Sequence, residues 1–181
     1  MPMTDEEIAE GCKRQDNKAR KALYERFAGS MMSLCLRYAG TREEAEDLLH
    51  DGFLKAFTAI GQFTYRGEGS LGAWLRRVFT NGALNYLETR KRLQLLPEEE
   101  LPDDRPDDDE QPPDIGSETL AALIAGLPAG YRTVLNLYLV EGWSHREIAQ
   151  RLGIGESTSA SQYLRARAAL RRKITEHINA H

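Results

Sequence analysis

Cysteine, proline outside one stretch, β-branched residues and long apolar runs are all sparse in this 181-residue chain. Two cysteines, Cys12 and Cys35, cannot frame a disulfide-stapled domain, and no CxxC pair offers a metal cage, so reduced thiols and no bound metal are expected. The longest apolar stretches, such as Leu120 to Leu127 and Val134 to Val140, fall far short of the roughly 18 residues that would cross a bilayer. The first ten residues are acidic and hold no apolar signal core. The expectation is a soluble, unexported protein working in the cytoplasm, with no membrane insertion. Valine and isoleucine are scarce, no alternating run is bounded by turn residues, and no repeat is visible, which argues against a sandwich, barrel or solenoid. What is abundant is Ala, Leu, Glu, Arg and Gln, the residues that cost a helix least.

A formal net charge of −4 conceals a strongly uneven distribution. Residues 94–117 carry ten carboxylates against one Arg105, together with five of the seven prolines. Little there can be buried, so the stretch reads as an extended, flexible tether. With it removed, residues 1–93 carry 15 basic and 13 acidic side chains, and residues 118–181 carry 8 and 5. The predicted architecture is all-α, with two small helical domains, 1–93 and 118–181, joined by an acidic linker over 94–117.

Apolar spacing predicts helices over about 4–14, 16–39, 41–59 and 70–92 in the first domain. In the second it predicts about 117–126, 129–141, 144–152 and 156–178. Thr4 with Glu7, Thr41 with Glu44 and Ser144 with Glu147 each fit the capping box, where hydroxyl and carboxylate satisfy one another's free amides.

In the helix from Thr41, Ala45, Leu48, Leu49, Gly52, Phe53, Ala56, Phe57 and Ile60 draw one apolar stripe for the core. Leu54 projects from the other side, among Asp47, His50 and Asp51. The helix from Ser70 sets Trp74, Leu75, Val78, Phe79, Leu84 and Leu87 toward a core and leaves Arg76, Arg77, Asn81, Asn85, Arg90, Lys91 and Arg92 as donors. Just ahead, Phe63 to Ser70 is a glycine-containing loop with aromatics and Arg66, suited to unstacked bases and phosphates.

The second domain carries a helix-turn-helix pattern. A short capped helix from Ser144 turns Ile148, Ala149 and Leu152 inward, Gly153 permits the turn, and Ile154 plugs its angle. The next helix opens with short polar side chains from Ser157 to Gln162 and ends in Arg165, Arg167, Arg171, Arg172 and Lys173, which suit base edges and phosphates. Ser144, His145 and Glu147 fall within one helical turn, where a hydrolase triad cannot line up, and the cap accounts for them.

These residues together resemble a bacterial RNA polymerase sigma factor of the sigma-70 family, extracytoplasmic-function (ECF) group. The run Glu46 to Phe57 is similar to region 2.2, Trp74 to Arg92 to regions 2.3 and 2.4, and Leu127 to Leu135 with the helix-turn-helix through Arg167 to region 4. The resemblance implies a non-enzymatic factor with no cofactor and no catalytic residue. It would bind core RNA polymerase through its β′ and β subunits, direct it to promoter DNA, help melt the −10 region, and answer to an anti-sigma factor.

Carried over by position, Asp47, Leu48, His50, Asp51 and Leu54 would meet the polymerase. Tyr65, Arg66, Ser70, Trp74, Arg76, Arg77, Asn81, Asn85, Arg90, Lys91 and Arg92 would meet the −10 element. Ser157, Thr158, Ser159, Ala160, Ser161, Gln162, Leu164, Arg165 and Arg167 would meet the −35 element. The chain departs from the family at His50, where glutamine is common, at Ala160, where a cation is, at Ser159, where valine is, and at Tyr163, where an aliphatic residue is. A stand-alone helix-turn-helix regulator is the alternative, and it would leave the Leu54 face and the aromatic loop without a use.

Overall fold

The computed structural model describes residues 1–89 and 113–181. Among these residues there are eight α-helices and no strand. The chain divides into two compact units, Met1–Thr89 and Arg90–His181. The acidic stretch up to Pro112, and Arg90, Lys91 and Arg92 with it, lies outside the described residues.

The first unit is built from α1 (Asp5–Lys13), α2 (Asn17–Tyr38), α3 (Arg42–Ala59), a 3-10 turn (Ile60–Gln62) and α4 (Ser70–Thr89). Thr4 and Glu7 close the expected capping box, each donating its backbone N–H to the other's side chain at 2.8 and 3.2 Å. At α3 the box is only half formed. Thr41 Oγ1 accepts from Glu44 N at 3.2 Å, but Glu44 Oε2 takes the N–H of Gly40 at 2.9 Å, one residue before the cap. Asp16 caps α2 through Lys18 N at 2.8 Å.

α1 and α2 run antiparallel, joined by Arg26 to Asp5 at 2.5 Å and by the approach of Gly11 to Ala19. The core takes Leu23, Leu34 and Tyr38 from α2, Leu48 and Phe53 from α3, and Leu71, Leu75, Phe79 and Leu84 from α4. α3 and α4 meet where Gly52 faces the Phe79 ring, a contact with no room for a Cβ. Phe53 stands edge-on to Phe79 at 5.1 Å beside it.

The second unit holds α5 (Ser117–Ala125), α6 (Ala129–Leu135), α7 (His145–Leu152) and α8 (Glu156–Ala180). Leu127, Tyr131, Leu135 and Ala166 form its core, with Ile124, Tyr163 and Leu170 packed against them. The sequence predicts one regular helix to residue 141. Instead, Asn136–Val140 widens into a π turn, closed by Glu141 N to Asn136 O at 2.9 Å. The extra residue re-aims the segment: Asn136 and Leu137 go inward, while Tyr138, Leu139 and Val140 are left exposed. No helix among the described residues is long and apolar enough to cross a membrane.

Candidate functional site

On α3 the buried stripe is Ala45, Leu48, Gly52, Phe53 and Ala56, and the opposite side presents Asp47, His50, Asp51 and Leu54 to solvent. Leu48 therefore does not belong with the surface residues. It is 7% exposed and packs into the core, because its spacing from Ala45 and Gly52 keeps it on the inner stripe. Leu54 is 54% exposed and rims an open groove of about 510 Å³ whose apolar wall comes from Tyr24 and Met32 on α2 with Leu49, Phe53 and Phe57 on α3. Tyr24 and Phe53 lie 4.8 Å apart. The exposed ion pair of Arg42 Nε with Glu46 Oε1, at 3.1 Å, marks its edge.

Tyr24 and Met32 were not among the candidate residues. They sit eight apart on one side of α2, which is a sequence signal for a shared face, but their partner helix is fixed only by packing.

The loop between the 3-10 turn and α4 is shaped by Gly67 and Gly69, with φ of 110° and 82°, values that favour glycine. Ser70 is engaged internally: Oγ donates to Gly67 O at 2.7 Å and accepts from Arg66 N at 3.2 Å, which holds the loop closed and leaves the Arg66 side chain exposed. Half-buried Trp74 packs on buried Phe63 at 5.2 Å.

Along α4, Ser70, Trp74, Arg77, Asn81 and Asn85 fall at steps of four, three, four and four, so they share one face. Asn81 Nδ2 donates to Arg77 O at 3.0 Å. Arg76 does not share that face. It lies about 160° round the helix from Trp74, on the side where Phe79, Ala83 and Leu87 are buried, and is itself half-buried.

In the second unit Ser144 and Glu147 form the full capping box, at 3.1 and 2.9 Å. Gly153 takes φ 69° at the turn, and Ile154 N returns to Ala149 O at 3.0 Å. Ile148 and Ala149 are buried as expected, and Leu152 is half-buried. On α8, exposed Ser157 and Leu164 share a stripe at helical spacing with half-buried Ala160 and Ser161, flanked by half-buried Thr158, Arg165 and Arg167.

Ser159 and Gln162 do not belong to that surface. They are 0% and 2% exposed, on the side of α8 turned toward its own unit, and Ser159 Oγ lies 3.0 Å from His145 Nδ1. His145 in turn stacks on Tyr138 at 4.4 Å and 9°, and Tyr163 packs on Tyr138 at 4.4 Å. The departures at Ser159 and Tyr163 thus meet in one cluster that ties the π segment and α7 to the start of α8.

No group of three or more metal-ligating side chains occurs among the described residues. His177 and His181 stack at 4.5 Å near the end of α8 without a third such side chain. Burial pushes the Cys35 thiol up to about 12 and raises that of Cys12 as well, so neither is a ready nucleophile. Burial also raises the Tyr131 hydroxyl, against the opposing pull of the Arg165 charge.

Comparison with known proteins matches residues 23–93 to Sigma-70 region 2 and residues 117–170 to Sigma-70, region 4. An ECF RNA polymerase sigma-E factor of Haemophilus influenzae is 30% identical, over 95% of this chain and 96% of that one. The chain belongs to the ECF RNA polymerase sigma factors. The RNA polymerase sigma-H factor of Pseudomonas aeruginosa is 29% identical to this sigma factor over 92% of its length and 91% of the relative's.

Two solved structures share its fold. The sigma factor RpoE of Bartonella quintana, in complex with the anti-sigma factor NepR, has a TM-score of 0.54 at 21% identity, covering 86% and 96% of the two chains. CnrH, in complex with the cytosolic domain of CnrY, has a TM-score of 0.50 at 21% identity, covering 96% of each.

Proposed function

We propose that this sigma factor divides its work between its two units. The first binds core RNA polymerase through the outer face of α3 and takes up the −10 strand with the Tyr65–Ser70 loop and the outer face of α4. The second reads −35 duplex with the Ser157–Leu164 stripe of α8. The observation that carries the reading is Leu54, half-exposed above an apolar groove and ringed by Asp47, His50 and Asp51. An apolar anchor inside a charged rim is the arrangement of a protein-binding hot spot, and a regulator acting without polymerase has no use for it.

Trp74 over Phe63 offers a base-stacking platform beside the exposed Arg66 and Arg77. On α8, small side chains at Ser157, Ala160 and Ser161 let the helix come close to base edges, with Arg165 and Arg167 to either side for phosphates. The exposed Leu139 and Val140 of the π segment fit a second polymerase contact, on the β subunit. An anti-sigma factor would compete for the Leu54 groove. The factor itself performs no catalysis, needs no cofactor and works in the cytoplasm.

Run-off transcription from genomic fragments, with core polymerase alone and with this protein added, tests the proposal. Discrete new transcripts that depend on the protein are expected. Promoter-sized fragments bound without polymerase, and no new transcript with it, would instead support a stand-alone regulator.

A further inference from the structure

Unit 1 carries its densest positive charge away from the face assigned to the −10 strand. Lys13, Arg14, Lys18, Arg20 and Lys21 fall within nine residues that hold a single carboxylate, Asp16. Residues 1–89 as a whole carry 12 basic and 13 acidic side chains. From Phe63 to Thr89, three arginines face two glutamates, and one of the three, Arg76, is turned toward the core side. The loop and α4 as far as Thr89 thus offer stacking surfaces with few cations, and the next in sequence are Arg90, Lys91 and Arg92.

The contacts bring this corner to the loop's end of the unit. α1 lies antiparallel to α2, with Gly11 against Ala19, so the end of α1 meets the start of α2. The Arg20 guanidinium then sits 5.6 Å from the centre of the Phe57 ring, in the last turn of α3. From Phe57 the chain needs only the 3-10 turn to reach Phe63, which packs on Trp74 at 5.2 Å.

The turn under these cations is closed by backbone hydrogen bonds. Gln15 takes a left-handed φ of 61°, its N–H donates to Cys12 O at 3.0 Å, and Asp16 N donates to Gly11 O at 3.0 Å. Lys13 and Lys21 have neighbours on their own helices, Glu10 at 2.8 Å and Glu25 at 3.7 Å. Arg14 and Lys18 are exposed and form no ion pair among the described residues.

We propose that the α1–α2 corner is a second nucleic-acid contact, which holds the phosphates of the single strand whose bases the adjoining loop takes up. This rests on reading that loop as the base-capturing element. The partner is a single strand, because the cations lie at the same end of the unit as the loop read as taking up its bases, and contact through lysine and arginine alone makes the site indifferent to sequence. Among macromolecular alternatives, an acidic protein surface would need the same charges without the neighbouring loop.

The test uses the full-length protein and a fluorescent 20-nucleotide oligothymidine, titrated across a salt series starting at low ionic strength. Arg14→Gln and Lys18→Gln should each lower the slope of log affinity on log salt by about 0.7, and by about 1.4 together, with no change in melting temperature or in binding to core polymerase. Tyr65→Ala should weaken binding with the slope unchanged, and Arg42→Gln, at the far end of α3, should alter neither. If the double variant keeps the parent's slope, or if it loses polymerase binding, the corner is not a strand contact. Tighter oligothymidine binding by the double variant would also overturn the proposal, because the corner would then be holding an acidic partner such as the chain's own residues 98–110. If Tyr65→Ala has no effect while the corner variants behave as expected, the corner stands and the loop reading falls. A parent that binds no oligothymidine even at the lowest salt overturns both.

Discussion

Replacing Leu54 with arginine separates binding from folding. Complete burial of a leucine is worth about 1.5–3 kcal/mol. Leu54 is 54% exposed in the free chain, so roughly half of that, about 1 kcal/mol, is left for a partner to supply. An arginine forfeits this gain and must be desolvated over the apolar wall formed by Tyr24, Phe53 and Phe57, bringing the expected loss to about 2 kcal/mol or more, near 30-fold in affinity.

The free chain accommodates the change. Position 54 is off the buried stripe, and Asp51 and Asp47 lie one and two turns back on the same side to meet a guanidinium. The melting temperature should therefore stay within about 4 °C of the parent. Leu48→Ala, one residue type but 7% exposed, should instead cost about 2–5 kcal/mol of stability. Both variants would be checked by helical circular dichroism and titrated against surface-held core polymerase. A folded Leu54→Arg protein that binds within about twofold of the parent would refute the assignment of this groove to polymerase.

Further outcomes are expected. Gly52→Ala should destabilise by about 1–3 kcal/mol, because its methyl would overlap the Phe79 ring. Gly29→Ala, where nothing stands within 4 Å, should stabilise α2 by about 0.5–1 kcal/mol; urea unfolding of the two variants checks the pair. Ser159→Ala should cost about 1 kcal/mol by removing the partner of His145, yet leave the salt dependence of −35 duplex binding unchanged, since the hydroxyl is buried. Ala160→Arg, at a half-buried position on the Ser157–Leu164 stripe of α8, should steepen the slope of log affinity on log salt by about 0.9 if it meets a phosphate, and an unchanged slope and specificity would place the docking surface elsewhere on the helix. Cys12 and Cys35 should resist a thiol reagent at pH 8 in the native protein and react in urea, because burial keeps both protonated.

The helices, their order and most of their ends were legible in the sequence because they rest on local physics. Apolar spacing draws a stripe wherever the chain is helical, and Thr4–Glu7 and Ser144–Glu147 satisfy their amides within three residues. The open position of Leu54 followed from the same periodicity. What local spacing could not decide was where a stripe ends and which neighbour covers it. Spacing already sets Leu48 on the inner stripe and Leu54 off it, and it was the family resemblance that placed Leu48 among the surface residues; that α2 and α4 are the helices covering the stripe is fixed by packing alone.

Ser159 and Gln162 look like DNA-facing polar residues in a polar run. They are buried because α8 must present a side to α7 and the π segment, where His145 supplies a hydrogen-bonding partner. Arg76 follows Trp74 by two residues and is carried round to the far flank of α4. The pairing of Tyr24 with Phe53 and the approach of Arg20 to Phe57 join residues distant in the chain. Only tertiary packing could decide them, since periodicity assigns a residue to a face of its own helix and says nothing about what lies across from it.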